Sequence, residues 1–377
     1  MHALVIGTSY YTYLPQNPGD PPPDGVRETL GLGQATTPAS SALAFARWLE
    51  TEYHNPAAPM GSIRLLVSPS QEEKGRQDAL ANPEDTVLSS NTTNVKAALR
   101  VCKLDCEKNR DNAAVFYVAG HGIMLSKDDS IVLLEDFGDP VENVLGCAMD
   151  IGAIWRGMSS QLIAKTQFYF VDACRIKPDV FSDYETNPVG VTLDVTEGGT
   201  AAVAPIFFGS APRSFALGEP GRGTLFCQAL LDCFALHGVK GPDNHERWTV
   251  TTASLLESLD KRVAELAAAY HEEQKAFPGG TPANEVFHVL PGPPEVPLHI
   301  SLKPNKAYEF ARAKLWDGLT DEVVFNDVEF TPCLDRKVPG GTYVLSVKIQ
   351  EGAAKYKGKD SVPVAAFPPE CRMEIPV

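Results

Sequence analysis

The runs AAVFYVA at residues 113–119 and FYFV at residues 168–171 decide the fold. Unbroken apolar and aromatic runs of this length are typical of strands that are buried on both faces of a parallel sheet. The first run stops at Gly-His-Gly (120–122) and the second at Asp-Ala-Cys-Arg (172–175). Strands of this type alternate with amphipathic helices from residue 1 to about 275. This alternation predicts an α/β fold with a mainly parallel central sheet flanked by helices.

Further apolar runs and helical periodicities complete the pattern. They predict strands at residues 3–6, 63–67, 131–134 and 203–208, and helices at 41–53, 93–106, 151–165, 223–237 and 252–270. The last helix carries Leu255, Leu259 and Val263 on one face, which is typical of a helix that packs on a sheet.

The pattern changes near residue 297, where apolar side chains begin to alternate. In 343–349 every second residue is apolar on the same face, and similar runs occur at 298–302, 308–315 and 323–330. We therefore expect an α/β domain over 1–276 and an all-β, sandwich-like domain over 297–377. The proline-rich segment 277–296 predicts a stiff linker between them. Turn-forming residues predict a long loop at 176–200.

Charge and composition restrict the partners and the compartment. The chain has 377 residues, with 33 Lys and Arg against 48 Asp and Glu, for a net charge of −15. Such an acidic chain is a poor ligand for nucleic acids or anionic membranes, so we expect neither as a partner. No apolar run approaches the roughly 20 residues of a membrane-spanning helix, and the start MHALVIGTSYY predicts a strand rather than a signal peptide. Eight cysteines without a CxxC pair favour reduced thiols and a cytoplasmic location.

His121 and Cys174 stand where two predicted neighbouring strands end. Because the carboxyl ends of parallel strands share one edge of a sheet, the two side chains are expected to face each other there. A cysteine beside a histidine supplies a thiolate nucleophile and a group that moves its proton. The backbone amides of Gly122 and Cys174 are candidates for an oxyanion hole. A structural role for both residues remains the alternative interpretation.

The spacing of these motifs resembles that of the caspase-like cysteine peptidases, the superfamily of caspases, metacaspases and their bacterial relatives. Their signature places Ala-Cys-Arg after a histidine about 50 residues upstream, and here Asp-Ala-Cys-Arg follows His121 at 53 residues. The resemblance covers roughly residues 1–275 and includes ALVIGTSYY, YVAGHG, YFVDACR and FFGSAPRSFALGEPGRGTLFCQALLDCF. It implies a caspase-like fold, a protein or peptide substrate, Cys174 as nucleophile and His121 as general base and acid.

Asp172 departs from the caspase pattern, in which a glutamine precedes the nucleophile by two residues. Metacaspases carry an aspartate there, which helps to bind a basic residue before the cut. A carboxylate pairs with a guanidinium or ammonium group, so the resemblance implies cleavage after Arg or Lys. Two alternatives stay open: Asp172 only orients local backbone, or Arg27 belongs to an acid-binding pocket and the enzyme cuts after Asp.

The resemblance also raises self-processing and calcium dependence. In this family the large and small subunits are joined, and often cut, in the region that corresponds to loop 176–200, where Arg175 and Lys177 offer basic cleavage sites. An acidic cluster follows the His121 strand at Asp128, Asp129, Glu135, Asp136 and Asp139. Some metacaspases need calcium, but scattered carboxylates usually form a solvated face. We therefore expect no cofactor and no bound metal, with calcium dependence as the alternative.

Two rival functions keep the same fold. One is a catalytically silent binding scaffold, and the other is acyl transfer to an acceptor other than a peptide. The β-sandwich suits docking of a regulatory partner or sensing of a small-molecule signal. Bacterial relatives act in stress and anti-phage responses, so the resemblance implies an activating signal.

Overall fold

The expected parallel sheet forms the centre of the α/β part of a computed structural model of the chain. The model describes residues 1–26, 28–75, 87–124, 130–160, 162–177, 187–195, 203–281, 284–350, 353 and 355–377. Two compact units are present, Met1–Leu231 with Leu255–Phe287, and Asp232–Ser254 with His288–Val377. The second unit thus includes a segment that the sequence pattern assigned to the α/β domain.

The first part of the chain alternates strands and helices, as predicted. In chain order its elements are β1 (His2–Thr8), α1 (Pro38–Thr51), β2 (Ser62–Ser68), α2 (Gln71–Gly75), α3 (Thr92–Glu107), β3 (Ala113–Gly120), β4 (Gly122–Met124), β5 (Ser130–Leu133), β6 (Ala148–Asp150), α4 (Ile151–Met158), β7 (Thr166–Ala173), β8 (Pro205–Phe208), β9 (Gly218–Glu219), β10 (Gly223–Thr224), α5 (Leu225–Asp232), a π-helical turn (Cys233–His237), β11 (Val239–Lys240), β12 (Thr249–Thr251), α6 (Thr252–Ala268), β13 (Phe277–Gly280) and β14 (Val286–Val289).

The central sheet has the strand order β13-β8-β7-β3-β1-β2. Its strands are parallel except for β13, which runs antiparallel to β8 at the edge. Every residue of β3 is buried, as the unbroken apolar run predicts. β4, β5 and β6 form a separate antiparallel sheet beside the ends of the central strands.

The predicted helix 151–165 ends early, at Met158. Ser159 and Ser160 follow it, and their hydroxyls bond locally, to the carbonyl of Trp155 at 2.8 Å and the amide of Leu162 at 3.3 Å. Such side-chain bonds compete with continued helix, which explains why periodicity alone overestimated its length.

The predicted linker 277–296 contains two strands, and the boundary between the two compact units falls inside it, after Phe287. β13 pairs with β8 in the central sheet, and β14 joins β11 and β12 in a small sheet. Proline cannot donate to a ladder, but an edge strand such as β13 tolerates Pro278 because only one of its sides is paired. A high proline content therefore indicated a linker where the chain forms a sheet edge.

The C-terminal all-β region is confirmed. Its elements are β15 (Glu295–Lys303), a 3₁₀ turn (Asn305–Phe310), β16 (Ala311–Asp317), β17 (Val323–Glu329), β18 (Leu334–Pro339), β19 (Gly341–Ile349), β20 (Lys359–Ala366) and β21 (Cys371–Pro376). They form two sheets, β18-β15-β21 and β17-β16-β19-β20. Leu298 and Ile300 of β15 and Leu345 and Val347 of β19 belong to one shared buried core, as the alternating pattern predicts.

Among the helices that the structure describes, none is both long enough and apolar enough to cross a membrane.

Candidate active site

The register of the central sheet brings His121 and Cys174 together. β3 and β7 are parallel neighbours, and their last residues, Gly120 and Ala173, are direct partners. His121 and Cys174 are the next residues on each strand. The segments that follow β3 and β7 stay side by side beyond this point, because the amide of Met124 donates to the carbonyl of Ile176 at 2.8 Å. The pair therefore occupies one edge of the sheet.

The imidazole of His121 is held on both sides. Its Nε2 lies 2.8 Å from the carbonyl oxygen of Gly33, and its ring stacks on Tyr11 with 5.0 Å between ring centroids. The backbone amide of His121 also donates to the Tyr11 hydroxyl oxygen at 2.8 Å. A carbonyl oxygen only accepts, so Nε2 must carry the proton and Nδ1 is the basic nitrogen. This tautomer leaves Nδ1 as the atom that accepts a proton.

The resting thiol and imidazole are both neutral at physiological pH. Burial raises the pKa of the Cys174 thiol, and the backbone amide of Ala216, which donates to Sγ at 3.2 Å, offsets only part of that rise. Burial likewise lowers the pKa of His121, against an opposing effect of the Gly33 carbonyl. Desolvation disfavours the charged form of each group. Both shifts favour a neutral thiol and a neutral imidazole over a preformed ion pair.

Gly122 lies against the backbone of the nucleophile. A Cβ atom at this position would lie 2.4 Å from the carbonyl oxygen of Cys174 and 2.7 Å from Cβ of Ala173. Gly122 is paired with Val132 in the β4–β5 ladder. In the adjacent pair, the amide of Leu133 donates to the carbonyl of His121. The alternation of antiparallel pairing directs the N–H of Gly122 away from β5, to the side on which Met124 bonds Ile176. The amide of Gly122 therefore faces the side of the strand on which the Cys174 segment lies.

Substitution of Gly122 by alanine should lower kcat/KM for peptide cleavage by about 100-fold or more. The added methyl group must displace the Cys174 backbone, and displacements of this size misalign reacting groups. The measurement is steady-state kinetics together with the melting temperature. Gly292→Ala is the control, because a Cβ at Gly292 meets nothing within 4 Å. Full activity of a folded Gly122→Ala variant would argue against a position of Gly122 in the site.

Asp172 lies deeper than a residue on a pocket surface, with only 2% of the residue exposed. Its Oδ2 accepts hydrogen bonds from the Tyr117 hydroxyl at 2.6 Å and from the Thr224 hydroxyl. Its Oδ1 is buried and has no hydrogen-bond partner among the described residues. Burial raises the pKa of this carboxyl to about 6, against the lowering effect of the two hydroxyls. Such an orphaned carboxylate oxygen is costly and calls for a functional explanation.

Gly209 is the neighbour of the free oxygen of Asp172. A Cβ at Gly209 would lie 3.0 Å from Cγ of Phe226 and 3.2 Å from Oδ1 of Asp172, so this backbone packs closely against both side chains. The partners of Oδ2 are side-chain hydroxyls, which does not fit the interpretation that Asp172 only orients local backbone.

The two basic residues predicted as self-cleavage sites have different environments. Arg175 is fully buried, with its guanidinium 4.2 Å from the ring centre of Phe208 and 5.5 Å from that of Phe277. A protease that cuts after a basic residue must take that side chain into its own pocket, so the folded structure does not offer Arg175 as a site. Lys177 is exposed. Within the rest of the predicted loop, Val191 is buried and docks beside β6, and 178–186 and 196–200 lie outside the described residues.

The described members of the acidic cluster bind separate protein groups. Glu135 accepts from the Ser68 hydroxyl at 2.6 Å, and Asp136 accepts from the amide of Thr92 at the start of α3. Asp139 lies 3.4 Å from the Tyr13 hydroxyl. Over the described parts of the chain, no three His, Cys, Asp or Glu side chains converge as metal ligands would. These three carboxylates are bound to separate protein donors, and calcium dependence is not tested by these contacts. Asp128 and Asp129 lie outside the described residues, as does Arg27.

Several groups of the site escaped the sequence analysis. Gly33 and Ala216 contribute a backbone carbonyl and a backbone amide, which every residue type carries, so no residue pattern marks them. Tyr117 falls within the predicted strand 113–119, where aromatic residues indicate core packing, and Tyr11 lies in the segment that follows the first predicted strand. Thr224 is the last residue of β10 and directly precedes α5, and only its bond to Asp172 shows its role.

The chain is similar to known proteins in two comparisons. A family model described as Caspase domain matches residues 52–282, which is more than half of the chain. Among solved structures, the crystal structure of caspase-1 from Spodoptera frugiperda is similar, with 13% identity and a TM-score of 0.41 over 74% of this chain and 86% of that chain. No curated protein sequence matches the chain. By the family model, this chain belongs to the caspase-domain family of cysteine peptidases.

Proposed function

We propose that the chain is a cysteine endopeptidase with Cys174 as the nucleophile and His121 as general base and acid. The observation that carries the proposal is the register of β3 and β7, which sets the two residues next to each other at the carboxyl edge of the sheet. The orientation of His121 by Gly33 and Tyr11 supports it, because a base needs a fixed tautomer and ring plane.

In the first half-reaction Nδ1 of His121 takes the thiol proton while Sγ of Cys174 attacks the substrate carbonyl carbon. The carbonyl oxygen becomes an oxyanion, and the amides of Gly122 and Cys174 stabilise it. Collapse of this intermediate breaks the C–N bond, and His121 gives its proton to the leaving amine. A thioester to Cys174 remains.

In the second half-reaction water gives a proton to His121 and attacks the thioester carbonyl. The C–S bond then breaks, the acid product leaves, and the proton returns to the thiolate. Atoms and charge balance over the cycle. The thiol and the imidazole carry out both half-reactions, so the proposed reaction uses no cofactor.

We assign cleavage after Arg or Lys, on the basis of Asp172. Its Oδ1 lacks a hydrogen-bond partner among the described residues and lies near Gly209. A guanidinium or ammonium group would supply the missing donor and the opposite charge. An acidic substrate side chain would meet a second carboxylate and be repelled.

The remaining parts of the proposal concern compartment and control. All eight cysteines are free thiols, which supports a reducing, cytoplasmic compartment. The proposal also includes self-processing near the exposed Lys177 and activation by a signal received through the β-sandwich. Its last part is a role in bacterial stress or anti-phage defence.

A peptide-library cleavage assay tests the proposed specificity. We expect cleavage after Arg and Lys, with little or none after Asp, and the same preference with calcium or with a chelator. Mass spectrometry of the products identifies the residue before the cut. Preference for Asp would contradict the role of Asp172. If no peptide is cleaved and Cys174 does not react with a thiol-reactive peptide probe, the result would support a binding scaffold.

A further inference from the structure

Gln274 is a buried residue outside the dyad that bonds two backbone groups of the loop beside Cys174. Only 2% of it is exposed. Its side-chain amide donates to the carbonyl of Gly209 at 2.6 Å, and its side-chain oxygen accepts from the amide of Leu217 at 2.9 Å. One side chain thus joins the two ends of the segment 209–217, which we call the clamp loop.

The clamp loop runs along the residues that carry the nucleophile. The Ser210 hydroxyl donates to the carbonyl of Ala173 at 2.9 Å. Beyond it, the amide of Arg213 donates to the carbonyl of Arg175 at 2.7 Å, and the amide of Arg175 donates to Ser214 at 3.0 Å. The middle of the loop is therefore paired with the chain around Cys174. At its two ends, the amide of Gly209 donates to Val171 and the carbonyl of Leu217 accepts from Leu225, and Gln274 bonds the remaining backbone group of each residue.

The two ends of the clamp loop touch the two chemical groups of the site. Gly209 lies beside Oδ1 of Asp172, and Ala216, which precedes Leu217, donates its amide to Sγ of Cys174. A shift at either end would change the space beside the carboxylate or the contact with the thiol.

We propose that Gln274 is a positioning residue that holds the backbone of Gly209 near Asp172 and the thiol contact at Ala216 in one fixed geometry. The inference rests on the proposed function, because it assigns the part of the site that aligns substrate with nucleophile. Glutamine suits the task since it carries a donor and an acceptor on one rigid plane, and burial leaves each backbone group dependent on it.

The test compares Gln274→Met with Gln167→Met. Gln167 is the matched control, because it too is fully buried and donates to two carbonyls, those of Met158 at 2.7 Å and Ala164 at 2.9 Å, near the opposite end of the sheet. Each variant keeps the side-chain length and loses the hydrogen bonds. The readouts are the melting temperature, kcat and KM for an Arg peptide, and the pH profile of Cys174 alkylation by iodoacetamide, followed by mass spectrometry.

We expect both variants to lose stability, but only Gln274→Met to lose kcat/KM, by about 10- to 100-fold and mainly in kcat. Its alkylation profile should move to higher pH, because the Ala216 amide no longer stabilises the thiolate. If Gln274→Met does not fold, Gln274→Glu replaces it, since the carboxylate keeps the acceptor and loses the donor, and the same directions are expected.

Two outcomes would overturn the inference: wild-type kcat/KM and alkylation in a folded Gln274 variant, or equal losses of activity in the Gln274 and Gln167 variants. The alkylation profile needs no peptide cleavage. A wild-type chain that cleaves no peptide but shows the shift on substitution of Gln274 would therefore refute the proposed function and support the positioning role.

Discussion

Replacement of Cys174 by alanine is expected to abolish peptide cleavage, with a fall in kcat/KM of about 10⁴-fold or more. The covalent route depends on one sulfur atom, and no other group at the edge of β3 and β7 replaces it. Removal of a nucleophile from a cooperating set of residues costs nearly the whole chemical contribution of that set. A continuous assay with a fluorogenic Arg peptide measures the loss.

Cys102→Ala is the matched control for this prediction. Cys102 is fully buried on α3, away from the carboxyl edge of the sheet, so its removal affects packing without touching the reacting groups. We expect a lower melting temperature and unchanged kcat/KM for Cys102→Ala. Activity of Cys174→Ala near the wild-type level would assign the cleavage to another residue or to a contaminant.

Asp172→Asn should lower kcat/KM for Arg and Lys peptides by about 100-fold or more while the chain stays folded. Loss of one partner from a buried charge pair costs about 2–5 kcal/mol, and the neutral amide presents no charge to the substrate. The asparagine oxygen can still accept from Tyr117 and Thr224. Steady-state kinetics with Arg, Lys and uncharged residues before the cut should show that the loss is specific to basic residues.

Asp105→Asn provides the comparison for the loss of a carboxylate elsewhere. Asp105 lies on α3 and pairs with Arg64 and Lys108, which hold its pKa below the usual range. We expect this variant to keep its preference for basic residues. Equal effects of the two substitutions on that preference would remove Asp172 from the recognition of substrate.

The difference in stability between Asp172→Asn and wild type should also depend on pH, and the direction of that dependence follows from the pKa of Asp172. A pKa of about 6 against 3.8 for an unshifted carboxyl means that the folded chain holds this proton more tightly, so ionisation costs about 3 kcal/mol in the fold. The cost is absent below about pH 4 and complete above about pH 6. Relative to wild type, Asp172→Asn should therefore gain free energy of unfolding as pH rises from 4 to 7. Urea unfolding at both pH values measures this, and an unchanged difference would contradict the raised pKa.

The sequence and the structure agree most closely where burial is uniform. β3 and β7 are buried throughout their interiors, so unbroken apolar runs identified both strands. Because the carboxyl ends of neighbouring parallel strands share one edge of a sheet, the ends of β3 and β7 were expected side by side. The predictions failed where the same residues suit two environments. Prolines indicated a linker at 277–296, but a sheet edge accepts them, and periodicity extended α4 past serines whose hydroxyls end the helix.

The sequence by itself determined the central sheet, the two β-sheets of the C-terminal region and the strand ends that carry His121 and Cys174, because patterns of apolar side chains record which faces are buried. Only the tertiary structure decided how those residues are held and tuned. The carbonyl of Gly33, the amide of Ala216, the hydroxyl of Thr224 and the amide group of Gln274 reach the site from loops and ends far apart along the chain. Backbone groups are the same at every residue, and their directions depend on how distant segments pack, so no local pattern of residue types specifies them.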